Sequence, residues 1–161
     1  MFPRLADDSR DIVHSHSHVT TWKNMEKLMS TGKTKAIGVS NYSVRYLEQL
    51  LPEATIVPAV NQIENHPALP QQEIVDFCKQ KGIHITAYSP LGSTGCPMFT
   101  AEPIVKVAEK RGVPPATVLL SWHSMFTPSL PVVIYVANVA FSVHSCPWVL
   151  CDRQVGDAVS Y

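Results

Sequence analysis

Four short runs in this 161-residue sequence hold residue types that could recognise or transform a small molecule. Gly38-Val39-Ser40-Asn41 sets a hydroxyl and a carboxamide directly after an apolar stretch. Asn61-Gln62-Ile63-Glu64-Asn65-His66-Pro67 is denser: Gln62 offers both a donor and an acceptor, the complement of a planar carboxamide, and Glu64 with His66 could form an acid–base pair. No nucleophile accompanies that pair. In Ala87-Tyr88-Ser89-Pro90-Leu91-Gly92-Ser93, Tyr88 presents a flat face for stacking a heteroaromatic ring, and the small residues after it let backbone N–H groups approach an anion. His14, His16 and His18 alternate, which on an extended strand would make a metal comb. No carboxylate is placed to complete such a site, so no metal is expected. Each run has a plainer alternative: a turn into a helix after Asn41, a polar turn closed by Pro67, a core tyrosine before an ordinary loop, and a solvated histidine loop.

These runs share a position in the chain pattern. Thr34–Val39, Ile56–Gln62 and Ile83–Tyr88 read as three buried strands, and the chemistry-bearing residues sit at or just beyond their carboxyl ends. Helices alternate with them. Trp22, Met25, Leu28 and Met29 recur at helical spacing before a stop at Gly32, and Ser43 caps a helix with Val44, Leu47 and Leu50 on one face. Pro70 opens another, with Ile74, Phe77 and Cys78 inward and Gly82 as the stop. Ile104, Val107 and Ala108 mark a fourth before Gly112, and Val118, Leu119 and Trp122 a fifth that begins at Pro115. Such alternation predicts an α/β fold with a parallel sheet. Periodicity alone allows either a piece of a barrel or a small doubly wound sheet.

Composition excludes other classes. Thirteen Lys and Arg balance thirteen Asp and Glu, with no basic run, which argues against a nucleic-acid partner. Cys78, Cys96, Cys146 and Cys151 form no C-x-x-C pair, and the start has no apolar leader segment, so reduced thiols and a cytoplasmic location are expected. Residues 124–161 carry three charged side chains against 23 in the first 123. The apolar part of that tail, Leu130–Val143, is shorter than the ~20 residues of a membrane helix, so a membrane anchor is not expected. Its run Val132-Val133-Ile134-Tyr135-Val136 reads as β within an otherwise irregular segment.

The three segments TWKNMEKLMSTGKTKAIGVSNYS, PAVNQIENHP and GIHITAYSPLGS, in this order and spacing, resemble the aldo-keto reductase family in its fungal carbonyl or polyol reductase branch. The resemblance covers roughly residues 1–123 and implies about three βα units of a (β/α)8, or TIM, barrel that binds NADPH in extended form. By position, Ser40, Asn41 and Gln62 then look like ligands of the nicotinamide carboxamide, and Tyr88 like the residue stacked on its ring. Ser89, Leu91 and Ser93 look like part of the loop holding the pyrophosphate. The implied substrate is a small carbonyl compound, an aldehyde, ketone or sugar.

Two departures shape the expectation for this chain. The family protonates its substrate with a tyrosine supported by a lysine, an aspartate and a histidine, all placed before the loop that resembles residues 1–21. None of them is matched here, so catalytic residues are expected to be absent and carbonyl reduction with them. After His123 the resemblance stops, with the groups that grip the 2′-phosphate, and residues 124–161 read as the product of a shifted frame or retained intron. The chain is therefore expected to bind the cofactor weakly. The alternative is a non-catalytic fragment that binds at most nicotinamide or an intact homologue, or self-associates through exposed sheet edges.

Overall fold

Winding direction separates the two α/β candidates, and it is read from the order of the strands. The computed structural model describes residues 4–9, 16–92 and 96–125, with side chains to His123, and the backbone of two further strands at 133–136 and 139–142. Strands Val39–Ser40 (β1), Val60–Glu64 (β2), His84–Tyr88 (β3), Val133–Val136 (β4) and Val139–Ser142 (β5) form one sheet in sequence order. The first four run parallel, and β5 turns back antiparallel to β4. Between β1 and β2 lies helix α2 (Val44–Leu50), and between β2 and β3 lies α3 (Gln72–Gln80). Leu47 of α2, Val75 and Cys78 of α3, Ile63 of β2 and Ile85 of β3 share one core cluster. Both connecting helices therefore cover the same face of the sheet. A doubly wound sheet moves its helices to the other face where its strand order reverses; the order here does not reverse among the described strands, which fits the winding of a barrel.

The alternation of a strand then fixes what the other face carries. In β2, Asn61 and Ile63 point to the helices, which leaves Gln62 and Glu64 on the inner face. In β3, Ile85 and Ala87 are buried, the first against the helices, so Thr86 and Tyr88 face inward.

Local sequence explains most element ends. Ser43 accepts a hydrogen bond from the Tyr46 N–H at 3.4 Å and starts α2, whose Leu47 and Leu50 are completely buried. Helix α4 (Glu102–Arg111) has Pro103 in its first turn and stops at Gly112, whose φ of 64° a side chain would strain. With α5 (Pro115–Met125) and a 3-10 turn at Pro97–Thr100, α4 builds a second core of Met98, Ile104, Ala108, Val118 and Leu119. Sinking a side chain such as Leu119 contributes about 2 kcal/mol.

Four boundaries differ from the sequence expectation. Helix α1 (His18–Met29) starts at His18, not Trp22, because Ser17 Oγ accepts from the Thr20 N–H at 3.0 Å. Its buried contacts come from Val19, Trp22, Met25 and Met29, while Leu28 is exposed. Strand β1 is only two residues long, and β2 starts at Val60 rather than Ile56 because the chain before Pro58 is tied to α1. There Glu26 Oε1 accepts from the Thr55 and Ile56 N–H groups at 2.7 and 2.8 Å, and Trp22 Nε1 donates to the Ile56 carbonyl at 3.1 Å. Helix α3 begins two residues after Pro70, because Gln71 takes a left-handed φ of 45° and its side-chain amide turns to the Glu64 carbonyl. In the tail, the run expected to read as β holds β4, which pairs with the free edge of β3, and β5 is a further strand in the part expected to be irregular.

Candidate functional site

The carboxyl ends of β1, β2 and β3 bring four of the singled-out residues into one hydrogen-bonded group. Register places Ser40 beside Gln62 and Gln62 beside Thr86, with Glu64 and Tyr88 paired one step further toward the strand ends. Ser40 Oγ donates to the Gln62 carbonyl at 3.0 Å, and the Asn41 N–H donates to the same oxygen at 2.8 Å. Tyr88 then reaches across β2, its hydroxyl donating to Asn41 Oδ1 at 3.1 Å. Asn41 can receive it because its backbone is left-handed, with φ 58°, a conformation that asparagine tolerates better than most residues. The Gln62 side-chain amide is half-buried and makes no hydrogen bond among the described residues. A donor and an acceptor are thus left on the inner face beside an aromatic ring.

Behind this group stands a buried amide. Asn61 is fully buried on the helix side of β2, and its Nδ2 donates to the Tyr42 carbonyl at 2.9 Å while Oδ1 accepts from the Tyr42 N–H at 3.3 Å. Because Tyr42 follows Asn41 directly, this clasp fixes the turn that carries Asn41. Asn61 also donates to Cys78 Sγ at 3.8 Å. Burial pushes the Cys78 thiol up, so it stays protonated and is no nucleophile. Gly38 lets the strands close: a Cβ there would lie 2.7 Å from the Val60 carbonyl oxygen.

The remaining candidates divide. Glu64 Oε1 lies 3.4 Å from His66 Nε2, long for a charge-assisted pair. His66 belongs to the tight turn anticipated around Pro67: its N–H and carbonyl exchange hydrogen bonds with Leu69 at 3.3 and 2.8 Å. Ser89 and Leu91 follow Tyr88 in a loop where Ser89 has φ 49°, and the Gly92 N–H closes a turn on the Ser89 carbonyl at 2.8 Å. Ser93 lies outside the described residues, as does His14. His18 is a helix residue packed edge-on against Tyr42 and Tyr46 at 5.7 and 5.1 Å, which is not the geometry of a metal comb. Among the described residues no three His, Cys, Asp or Glu side chains converge as metal ligands, and no helix is long and apolar enough to cross a membrane.

Two contributions escaped the sequence reading. Asn61 stands beside Gln62 in one polar run of the sequence, and strand alternation puts the two on opposite faces. His123, on α5, is 1% exposed; burial, with the His66 charge, pushes its pKa down to about 4. No local pattern announces that burial.

A one-sided parallel sheet with an amide and aromatic group at its carboxyl edge has the ligand-binding end of a barrel-type βα protein. The chain belongs to the aldo/keto reductase family, whose model matches residues 9–145. It is 69% identical over 122 residues to a D-galacturonate reductase of Hypocrea jecorina, covering 76% of this chain and 40% of that protein. It is 46% identical over 124 residues to a glycerol 2-dehydrogenase (NADP(+)) of Saccharomyces cerevisiae, covering 75% and 40%. The aldose reductase structure from Schistosoma japonicum superposes with a TM-score of 0.77 at 29% identity, over 98% of this chain and 51% of that one. The chain thus spans about two fifths of the length of the curated relatives it matches.

Proposed function

We propose that this chain carries the nicotinamide-binding side of an NADPH-linked reductase of aldehydes, ketones or sugars. The observation that supports it most is the Ser40–Asn41–Gln62–Tyr88 group at the ends of three adjacent parallel strands. Its donor set suits the cofactor: the Gln62 amide and Asn41 can match a carboxamide, and the Tyr88 ring can stack a flat heterocycle. When bound, the reduced nicotinamide would supply the hydride. The chain's own residues hold and orient the ring, and the Ser89–Leu91 loop, continued by Ser93, offers backbone N–H groups to the pyrophosphate. Similarity to a D-galacturonate reductase and to an NADP-linked glycerol 2-dehydrogenase favours a polyhydroxylated carbonyl substrate.

None of the positions named above matches the tyrosine, lysine, aspartate and histidine to which the resemblance assigns proton transfer. Losing one general acid costs about 10²- to 10⁴-fold in rate. The 161-residue chain by itself is therefore proposed to hold the cofactor weakly without reducing a carbonyl. Its free Cys78 and Cys96 thiols suit a cytoplasmic location. A second reading, association with an intact homologue or a second copy, is favoured by β1, which has no outer strand neighbour among the described residues.

Binding and turnover are tested separately. NADPH fluorescence titration should show binding that Tyr88→Ala and Gln62→Ala each weaken by about tenfold, the loss of roughly 1.4 kcal/mol. Unchanged affinity in both variants would remove the cofactor placement. NADPH consumption followed by absorbance with a panel of aldehydes and sugars should show none. Turnover that Tyr88→Ala abolishes would mean that another acid on this chain supplies the proton. Copurification with an intact reductase would support the second reading.

A further inference from the structure

Glu64 takes no part in the hydrogen-bonded group around Tyr88, yet the register of the sheet sets it against that group. It follows Gln62 by two residues on the inner face of β2, and its partner on β3 is Tyr88. The Tyr88 side chain starts at the level of Glu64 and ends, at its hydroxyl, on Asn41, the residue after the partner of Gln62. The ring therefore crosses β2 between the levels of two inner-face side chains. Gln62 lies toward the amino end of the strand and Glu64 toward the carboxyl end.

The backbone that carries this carboxylate is held on both sides. The Gln71 side-chain amide donates to the Glu64 carbonyl. Asn65 Nδ2 donates to the Pro70 carbonyl at 2.6 Å, and the Asn65 N–H donates to the Tyr88 carbonyl at 3.4 Å. The Glu64 side chain is 33% exposed, so water screens it less than a carboxylate on the open surface. Little on the protein offsets its charge. His66 Nε2 stands 3.4 Å from Oε1, too far for a tight charge-assisted bond. Among the described residues no Lys or Arg pairs with it; those in ion pairs are Arg4 with Asp8, Lys23 with Glu53 and Lys106 with Glu102.

We propose that Glu64 sets the preference of this site between the oxidised and reduced nicotinamide, by holding a fixed negative charge beside the ring that stacks on Tyr88. This rests on the reading of Gln62, Asn41 and Tyr88 as the nicotinamide ligands. The oxidised ring carries one positive charge and the reduced ring none, so a charge placed near it acts on one form and not on the other. The phosphates are common to both forms and cancel in the ratio of the two affinities. Opposite unit charges several ångströms apart across a partly wetted site shift that ratio by about fivefold, in favour of the oxidised form.

Competition titrations on the whole chain test this, with NADPH binding followed by its fluorescence and NADP+ measured by displacement. Glu64→Gln keeps the shape of the side chain and removes the charge. It should lower the ratio of NADP+ to NADPH affinity about fivefold, while NADPH affinity itself changes by less than about twofold. Glu64→Asp keeps the charge and should retain most of the wild-type ratio, a readout that a purely structural role for Glu64 would not produce. An unchanged ratio in Glu64→Gln, or an equal fall in Glu64→Asp, overturns the proposal. If Glu64→Gln does not fold, Glu64→Ala takes its place as the neutral variant, with the same outcomes deciding. Both forms binding with the ratio unmoved defeats the role of Glu64 and leaves the cofactor reading standing. Binding of neither form at millimolar concentration defeats the cofactor reading and the role of Glu64 with it.

Discussion

Replacing Asn61 with alanine should be among the more damaging single changes in the described part of the chain. The side chain is fully buried and occupies both backbone groups of Tyr42, as donor at 2.9 Å and as acceptor at 3.3 Å. Alanine leaves a partly buried N–H and carbonyl without partners. Each orphaned group costs about 1–3 kcal/mol, and a half-buried site belongs near the lower end. Adding the space left by the missing carboxamide gives about 3 kcal/mol in total. Urea unfolding followed by circular dichroism measures it, with an unchanged slope showing that stability and not compactness has moved. Asn61→Asp adds a sign. Its buried carboxyl would have a folded pKa above the unfolded value near 3.9, so the variant should be nearest the wild type below pH 4 and lose stability as pH rises through the folded value. A loss below about 1 kcal/mol for Asn61→Ala, or an Asn61→Asp variant insensitive to pH, would refute the clasp.

Other changes probe the same framework. Gly38→Ala should destabilise by about 1–3 kcal/mol in urea unfolding, since its Cβ would fall 2.7 Å from the Val60 carbonyl oxygen and strands must separate to admit it. Ser89→Gly should stabilise by about 0.5–1 kcal/mol, the relief of φ 49° less the added freedom of the unfolded chain; a destabilised variant would mean that the Ser89 hydroxyl matters more than its backbone. For His123, lowered from 6.5 to about 4, stability is full above pH 6.5 and falls through that interval as acid favours the unfolded, protonated form. The whole loss is about 3 kcal/mol, and urea midpoints at pH 7, 5.5 and 4 should trace it, with a flatter profile in His123→Asn.

What could be read in advance follows from how local each determinant is. The start of helix α2 was legible to the residue because Ser43 caps it and Leu47 and Leu50 repeat at helical spacing, all within eight residues. The Gly112 stop of α4 was legible for the same reason. The start of β2 was not, because Ile56 is pinned by Trp22 and Glu26, more than thirty positions away in one case and thirty in the other. Ser40, Asn41, Gln62 and Tyr88 could be named as candidates from their place after strands, but their union depends on a bond between residues 47 apart, from Tyr88 to Asn41. Period two would have separated Asn61 from Gln62, since one faces the helices and the other the inner side. His123 was invisible because its burial depends on how α5 packs against the rest of the chain, which no local pattern fixes.

The sheet's sequence-ordered pairing bears on how the molecule is assembled. Val39 pairs with Asn61 and Val60 with His84, separations of 22 and 24 residues, so no early pairing waits for a distant part of the chain. Closing a loop of that size costs only slightly more than closing one half as long, and the cost recurs evenly along the chain. Low contact order of this kind favours fast folding. It also matches the direction of synthesis: each strand leaving the ribosome meets a neighbour already made, and its helix covers the same face as the helix before it. The Asn41–Tyr88 bond can form only when the third of these strands is seated, so the ligand end is completed last.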